Sequence, residues 1–219
     1  MSSSTEKRVL LVGAGGHARV CIEAFIDRGT TVVGAVSADG TGLVDLGVPM
    51  LGTEHDVDAI VEQHGVTSIC VPIGMNTARQ RVCSSLLDAG YELASAVSGS
   101  AVISRTAVLD PGVQLIAGCV VNAATTIGTG TIVNTNASVD HDCSVGDYVH
   151  IAPGVAIGGA ATIGDRAFVG IGARVLPGIS IGPDAVVGGG AVVIRDVAAG
   201  STVVGNPARG LRDRDGTTR

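Results

Sequence analysis

Aromatic side chains are almost missing from this chain: two Tyr, two Phe and no Trp among 219 residues. Domain cores of ordinary composition lean on those rings, so this one must pack small aliphatics in thin, regular layers, and a repeat is expected. Positive charge is also scarce. The 14 Lys and Arg face 20 Asp and Glu, for a net charge of −6. That leaves no basic stripe to neutralise phosphates and excludes nucleic acid as a partner, although a few local cations suffice for one small anionic ligand. No apolar run reaches 18 residues, and the start, Met1 to Lys7, is polar; neither a membrane span nor a signal peptide is expected. Cys-x-x-Cys and His-x-x-x-His pairs are lacking, so no metal site is expected. The five cysteines (Cys21, Cys70, Cys83, Cys119 and Cys143) are odd in number and scattered through mostly apolar segments. They read as buried, reduced thiols of a cytoplasmic protein.

Glycine, at 33 residues, is abundant, and an aliphatic residue recurs at every sixth position in sixteen successive hexads, from Ile103, Leu109 and Leu115 to Val187 and Val193. Two residues before each aliphatic the side chain is usually small (Ala137, Cys143, Ala161); just after it Gly or Asn is frequent (Asn134, Gly146, Gly164). No helix face accommodates a period of six. The pattern predicts a three-sided solenoid in which each hexad is a short strand plus a corner. The aliphatic points inward, the small residue fits the crowded corner, and Gly or Asn supplies the positive φ of a tight bend. Three hexads close a coil, so sixteen make about five coils, a prism of about 25 Å at strand spacing.

Residues 7 to about 97 read differently. Arg8 to Val12 is an apolar strand, followed by Gly13-Ala14-Gly15-Gly16-His17-Ala18 and a helix to Arg28. Further strands are expected at Thr31 to Val36 and Ser68 to Val71, and helices from Thr53 to His64 and Asn76 to Ala89. Thr53 and Asn76 serve as N-caps and Gly29, Gly65 and Gly90 as αL stops. Alternating strand and helix predicts a parallel sheet. A Gly-rich strand-to-helix turn suits phosphate, because backbone N–H groups gather there. Asp39 sits roughly where a ribose-binding acid would fall in a dinucleotide fold. About 90 residues hold only a mononucleotide half of that fold, so a mononucleotide is the preferred ligand and NAD the rival; a bare tight turn is the bland alternative.

Hexads such as Ile163-Gly164-Asp165-Arg166-Ala167 resemble the hexapeptide-repeat acyltransferase superfamily. That resemblance implies a left-handed parallel β-helix, a homotrimer with active sites between neighbouring prisms, and an end segment near coenzyme A at Val204-Gly205-Asn206-Pro207-Ala208-Arg209. The last nine residues, Leu211 to Arg219, are polar and expected to fray. Over nearly the whole chain the sequence is similar to bacterial N-acetyltransferases of nucleotide-linked amino sugars, grouped with sialic-acid O-acetyltransferase-like proteins. Gly13 to His17, Val48-Pro49-Met50-Leu51-Gly52, Ile73-Gly74-Met75-Asn76 with Arg79, and His141-Asp142 carry the likeness. It implies a division into an α/β nucleotide-sugar-binding domain, residues 1–97, and a β-helix acyltransferase domain, residues 98–219. Gly13, Gly15, Gly16, His17, Ser37, Asp39 and Gly74 become the candidate substrate-binding residues. Two features depart from the pattern: uridine-using relatives usually carry an Asp-Asp pair where Ser37-Ala38 stands, and an Ile-His-Pro motif reads Val97-Ser98-Gly99. The smaller residues at 37–38 favour a purine, hence a GDP sugar such as perosamine, with UDP as the alternative.

Acetyl transfer from acetyl-CoA to a sugar amine needs a neutral amine, a proton acceptor and a donor for the oxyanion. Of five histidines, His55 and His64 fall on a surface helix. His141, flanked by Asp140 and Asp142, is the candidate general base, its basicity raised by Asp142. Asn134 either positions the amine or is a structural corner residue. The resemblance places His150, Gly159 and Ile171 along acetyl-CoA, with a backbone N–H near Gly159 as oxyanion donor. Arg174 and Arg209 meet the CoA phosphates or are solvated. Cys143 reads as a small corner residue, so transfer is expected to be direct. A γ-carbonic-anhydrase-like zinc site would need three converging histidines and the solenoid has two; a sugar O-acetyltransferase and a non-catalytic scaffold are the remaining alternatives.

Overall fold

The computed structural model describes residues 7–42 and 46–211. It divides into two compact units, up to Gly99 and from Ser100. Apart from Leu211, the tail expected to fray lies outside the described residues.

In the first unit the run Arg8–Val12, apolar after its arginine, forms β1 and takes the interior of a four-stranded parallel sheet. A parallel strand is covered on both faces, and four of its five residues are buried. The other strands are β2 (Thr31–Ser37), β3 (Met50–Thr53) and β4 (Ser68–Cys70), in the order β3-β2-β1-β4. Helix α1 (Gly16–Ile26) links β1 to β2, α2 (Val57–His64) precedes β4, and α3 (Asn76–Asp88) follows it. Gly29, Gly65 and Gly90, all at positive φ, stop the three helices as expected. Two expectations need correction. The helix read from Thr53 opens as a 3-10 turn, Glu54–Asp56; there the Thr53 hydroxyl accepts from His55 N and the Asp56 carboxylate from Thr53 N. Asn76 is not the cap of α3, which is Met75; the Asn76 side chain serves Arg79 instead. Strand β3 was not expected, since Pro49 and Gly52 interrupt its apolar pattern.

In the second unit sixteen two-residue strands run from Val102–Ile103 to Val192–Val193, and each pairs in parallel with a strand 18 residues away in sequence. Eighteen residues therefore make one coil of a three-sided column. The first face includes Val120–Val121, Ser138–Val139 and Ala156–Ile157. Thr126–Ile127, Ser144–Val145 and Thr162–Ile163 lie on the second. Ile132–Val133, His150–Ile151 and Phe168–Val169 lie on the third. The second residue of each of these strands is inward and at most 2 % exposed, as are Ala137, Cys143, Ala161 and Ala167 at the narrow corners. The column closes on Thr202–Val204, which adds in parallel to Val186–Val187, and on Arg209–Gly210, which turns back antiparallel.

The role expected for the glycines after each aliphatic was wrong. Positive φ falls two residues later, at Asn136, Asp142, Gly154, Ala160 and Arg166 among others. Gly146, Gly158 and Gly164 are needed for close approach: a Cβ on Gly164 would lie 2.5 Å from the backbone N of Pro183, and one on Gly158 2.8 Å from that of Pro177.

Candidate functional site

Strands β1, β2 and β4 deliver their carboxyl ends to one edge of the sheet, and the chain order reverses between β1 and β4. Open α/β sheets hold ligands at such a switch point. The two loops there touch: a Cβ on Gly13, at φ +122°, would meet Ile73 Cγ1 at 2.9 Å. Gly15 and Gly16 differ. Both are exposed, and a Cβ on either would find nothing within 4 Å. Neither packing nor positive φ demands glycine at these two positions, whereas an anion resting on the N-terminus of α1 would. Gly15 caps that helix without a side chain, and the first turn holds no acid but His17 and Arg19.

Gly74 lies in the second loop, which Arg79 holds from beneath. Its guanidinium is fully buried and donates to the carbonyls of Ile73 (2.7 Å) and Gly74 (3.2 Å) and to Asn76 Oδ1 (2.9 Å). In the sequence Arg79 stands out only as a mark of resemblance; an arginine inside a helix ordinarily reads as solvated. Ser37 and Asp39 fold their own loop: Ser37 Oγ donates to Thr41 O at 2.6 Å, and Asp39 Oδ1 accepts from Thr41 N and Oγ1 and from Ser37 Oγ. These bonds, the Thr41 hydroxyl foremost, hold the Asp39 carboxyl below its ordinary value. Gly42 then packs against Ala14 of the Gly-rich turn, with no room for a Cβ.

On the column, His141 stands at the corner between the first and second faces, its side chain 59 % exposed. Its Nδ1 donates to Asp142 Oδ2 at 2.7 Å, which fixes the tautomer and leaves Nε2 as the basic nitrogen. Asp142 can make this bond because it takes the left-handed conformation, φ +58°, which Asp tolerates better than most residues. The hydrogen bond that His141 donates to Asp142, followed by the charge of Asp140, raises the imidazole pKa above 6.5. The ring lies on Gly159 in the next coil, where a Cβ would come within 2.7 Å of Cε1 and Nε2. Beside this corner is a hollow of about 380 Å³ on the first face, lined by Asn122, Ser138, Asp140, Ala156, Gly158 and Arg174 among others.

Asn134 and His150 belong together on the third face and the edge that follows it: Asn134 Nδ2 donates to His150 Nε2 at 3.2 Å, and Phe168 meets the His150 ring edge-to-face at 5.3 Å. Ile171 projects from that same edge, 64 % exposed. Arg174 reaches back to it, donating to the carbonyls of Gly154 (3.1 Å) and Gly172 (2.7 Å). Arg209 lies in the final strand and donates to Ala208 O. A single column thus places His141-Asp142 on one edge and Asn134-His150 with Ile171 on another. Burial raises the Cys143 thiol pKa, and its Sγ lies 3.3 Å from Gly158 O, which makes it a poor nucleophile. Among the described residues no group of three or more His, Cys, Asp or Glu could hold a metal ion, and no helix is long and apolar enough to cross a membrane.

Residues 8–86 match the PglD N-terminal domain, and residues 160–195 match the bacterial transferase hexapeptide family of six repeats. No curated protein matches the chain. Among solved structures, the H141A mutant of GDP-perosamine N-acetyl transferase from Caulobacter crescentus, in complex with CoA and GDP-perosamine, is 41 % identical over 95 % of this chain and 99 % of its own, with a TM-score of 0.91. The chain belongs to the hexapeptide-repeat nucleotide-sugar N-acetyltransferases. Two more solved structures are similar to it. The acetyltransferase domain of PglB from Neisseria gonorrhoeae FA1090, also solved with acetyl coenzyme A, is 32 % identical over 94 % of this chain and 100 % of its own (TM-score 0.88). WeeI from Acinetobacter baumannii AYE is 30 % identical over the same shares (TM-score 0.82). The solenoid is a left-handed parallel β-helix, and an α/β domain precedes it in the chain.

Proposed function

We propose that this protein transfers the acetyl group of acetyl-CoA to the 4-amino group of a nucleotide-linked 4-amino-4,6-dideoxy sugar, with GDP-perosamine the preferred substrate and a UDP sugar the next. The observation that carries this reading is the His141-Asp142 pair, an imidazole with Nδ1 tied down and Nε2 presented to solvent above a glycine. It occurs in a chain 41 % identical to an enzyme solved with CoA and GDP-perosamine.

The nucleotide diphosphate rests on the turn from Gly13 to Gly16, with His17, Gly74 and the Ser37–Asp39 loop around it. The neutral amine attacks the thioester carbonyl, a C–N bond forms, and the surplus proton on nitrogen passes to His141 Nε2. Asp142 stabilises the resulting imidazolium. The negative charge on the carbonyl oxygen is met by a backbone N–H near Gly159. Collapse breaks the C–S bond, and the CoA thiolate leaves and takes up a proton. Transfer is direct, since Cys143 is held as a protonated, buried thiol. His150, Ile171, Arg174 and Arg209 serve acetyl-CoA. Because His141 and the Asn134-His150 pair occupy different edges of one column, we infer a homotrimer in which neighbouring chains complete each site. Both substrates and five reduced thiols suit the cytoplasm.

Incubation with acetyl-CoA and a panel of GDP-, UDP- and dTDP-linked 4-amino sugars should yield an N-acetylated GDP sugar. Acetylation of hydroxyl-only sugars at a comparable rate would overturn the amine assignment. His141→Asn should fold normally and lose about 100-fold or more of kcat; a fully active variant would remove His141 from the mechanism.

A further inference from the structure

In the hexad pattern the residue after the inward aliphatic is often glycine, because the next coil crowds it. Gly146, Gly158 and Gly164 each would bring a Cβ within 3 Å of that coil. At the edge that carries His141 only Gly158 follows this rule; Ser104, Asn122, Asp140, Leu176 and Ile194 depart from it, and the departures in the coil of His141 and the coil before it are Asp140 and Asn122. These two side chains meet: Asn122 Nδ2 donates to Asp140 Oδ1 at 2.9 Å. The same oxygen accepts the backbone N–H of His141 at 2.8 Å. The Asp140 carbonyl is held as well, by Thr125 Oγ1 at 2.6 Å. A threonine clamp of that kind also occurs at Thr131, which donates to Gly146 O and accepts from Val149 N. It therefore belongs to the column's repeat. The Asn122–Asp140 bond does not.

We propose that Asn122 and Asp140 are positioning residues for the general base: Asn122 fixes the Asp140 carboxylate, which fixes the backbone of His141 over Gly159 and supplies a second negative charge beside the imidazolium. This rests on the reading of His141 as the base. The carboxylate stays ionised, since the His141 N–H and then Asn122 hold its pKa below the ordinary value. The groups facing His141 are few. Its own corner carries Asp140, Asp142 and the Cys143 thiol; the corner before it, residues 122–125, and the corner after it, residues 158–161, carry no titratable side chain. The charge that tunes this imidazole along the column thus comes from two carboxylates, one in contact and one acting through space. Asp142 selects the tautomer. Asp140 sets where the ring stands.

The test uses the full chain with acetyl-CoA and GDP-perosamine, and the variants Asp140→Asn, Asp140→Ala, Asn122→Ala and His141→Asn. Circular dichroism and light scattering check folding and assembly. Asp140→Asn keeps an oxygen for both hydrogen bonds but removes the charge, so the acid limb of kcat/KM should move to lower pH. Asp140→Ala and Asn122→Ala loosen the backbone, and kcat should fall by about ten- to a hundredfold while both KM values change by less than about twofold. An unmoved acid limb in Asp140→Asn together with parent-like kcat in Asn122→Ala overturns the proposal, whether or not Asp140→Ala folds. If that result comes with an inactive His141→Asn, the general-base reading stands and only the positioning role fails; a parent-like His141→Asn defeats the base reading itself.

Discussion

A histidine at a solvated corner titrates near 6.5; His141 does so at higher pH, because Asp142 and then Asp140 favour its protonated form. Only the neutral imidazole can accept a proton, so the raised pKa keeps the inactive form present to higher pH. The rate profile of kcat/KM should therefore rise through an acid limb centred above 6.5, and Asp142→Asn should move it down. A limb at or below 6.5 in the parent enzyme would contradict the geometry. At this scale the sequence was partly legible. His141 stood out because acids flank it on both sides, Asn134 was legible only as a corner residue that either positions the amine or is structural, and His150 came from resemblance. Arg79 did not stand out, since nothing in its local sequence marks a guanidinium that ends beneath the Ile73-Gly74 loop. The work of Asp140 was equally hidden, because its partner Asn122 lies 18 residues away and becomes a neighbour only when a coil closes.

Single elements here are two-residue strands joined by corners, and their stability depends on coil-to-coil clearance. Gly164→Ala should destabilise the column by about 2 kcal/mol, or about 6 °C in Tm, because its Cβ meets the backbone of residues 182 and 183. By contrast, a Cβ at Gly172 meets nothing, and Gly172→Ala should cost only the strain of φ +66°, about 1 kcal/mol. Differential scanning calorimetry of the two variants separates these effects. The sixfold beat revealed the sixteen two-residue strands from Val102–Ile103 to Val192–Val193 because each hexad repeats the same demand for an inward aliphatic. The reason for its glycines was misread, since a sequence shows which residue is small but not what lies above it. Strand β3 and the antiparallel strand Arg209–Gly210 escaped notice for a related reason. Each is short, lacks a two-residue alternation, and is set by its pairing partner.

For the whole molecule, the separation of His141 from Asn134 and His150 has a direct readout. His141→Asn and Asn134→Ala chains, each nearly inactive, should regain about a quarter of parental sites when co-assembled at equal amounts, if each site draws one residue set from each of two chains. No recovery would mean that one chain supplies everything. Light scattering should give three chains per particle. The closing hairpin has its own consequence. A stack of parallel rungs has no inherent last member, because every terminal rung offers unmet N–H and C=O groups to the next. By reversing direction at Arg209–Gly210 and laying that strand along Thr202–Val204, the polypeptide blunts its own growing tip, which keeps one enzyme from templating onto another and elongating into a fibre.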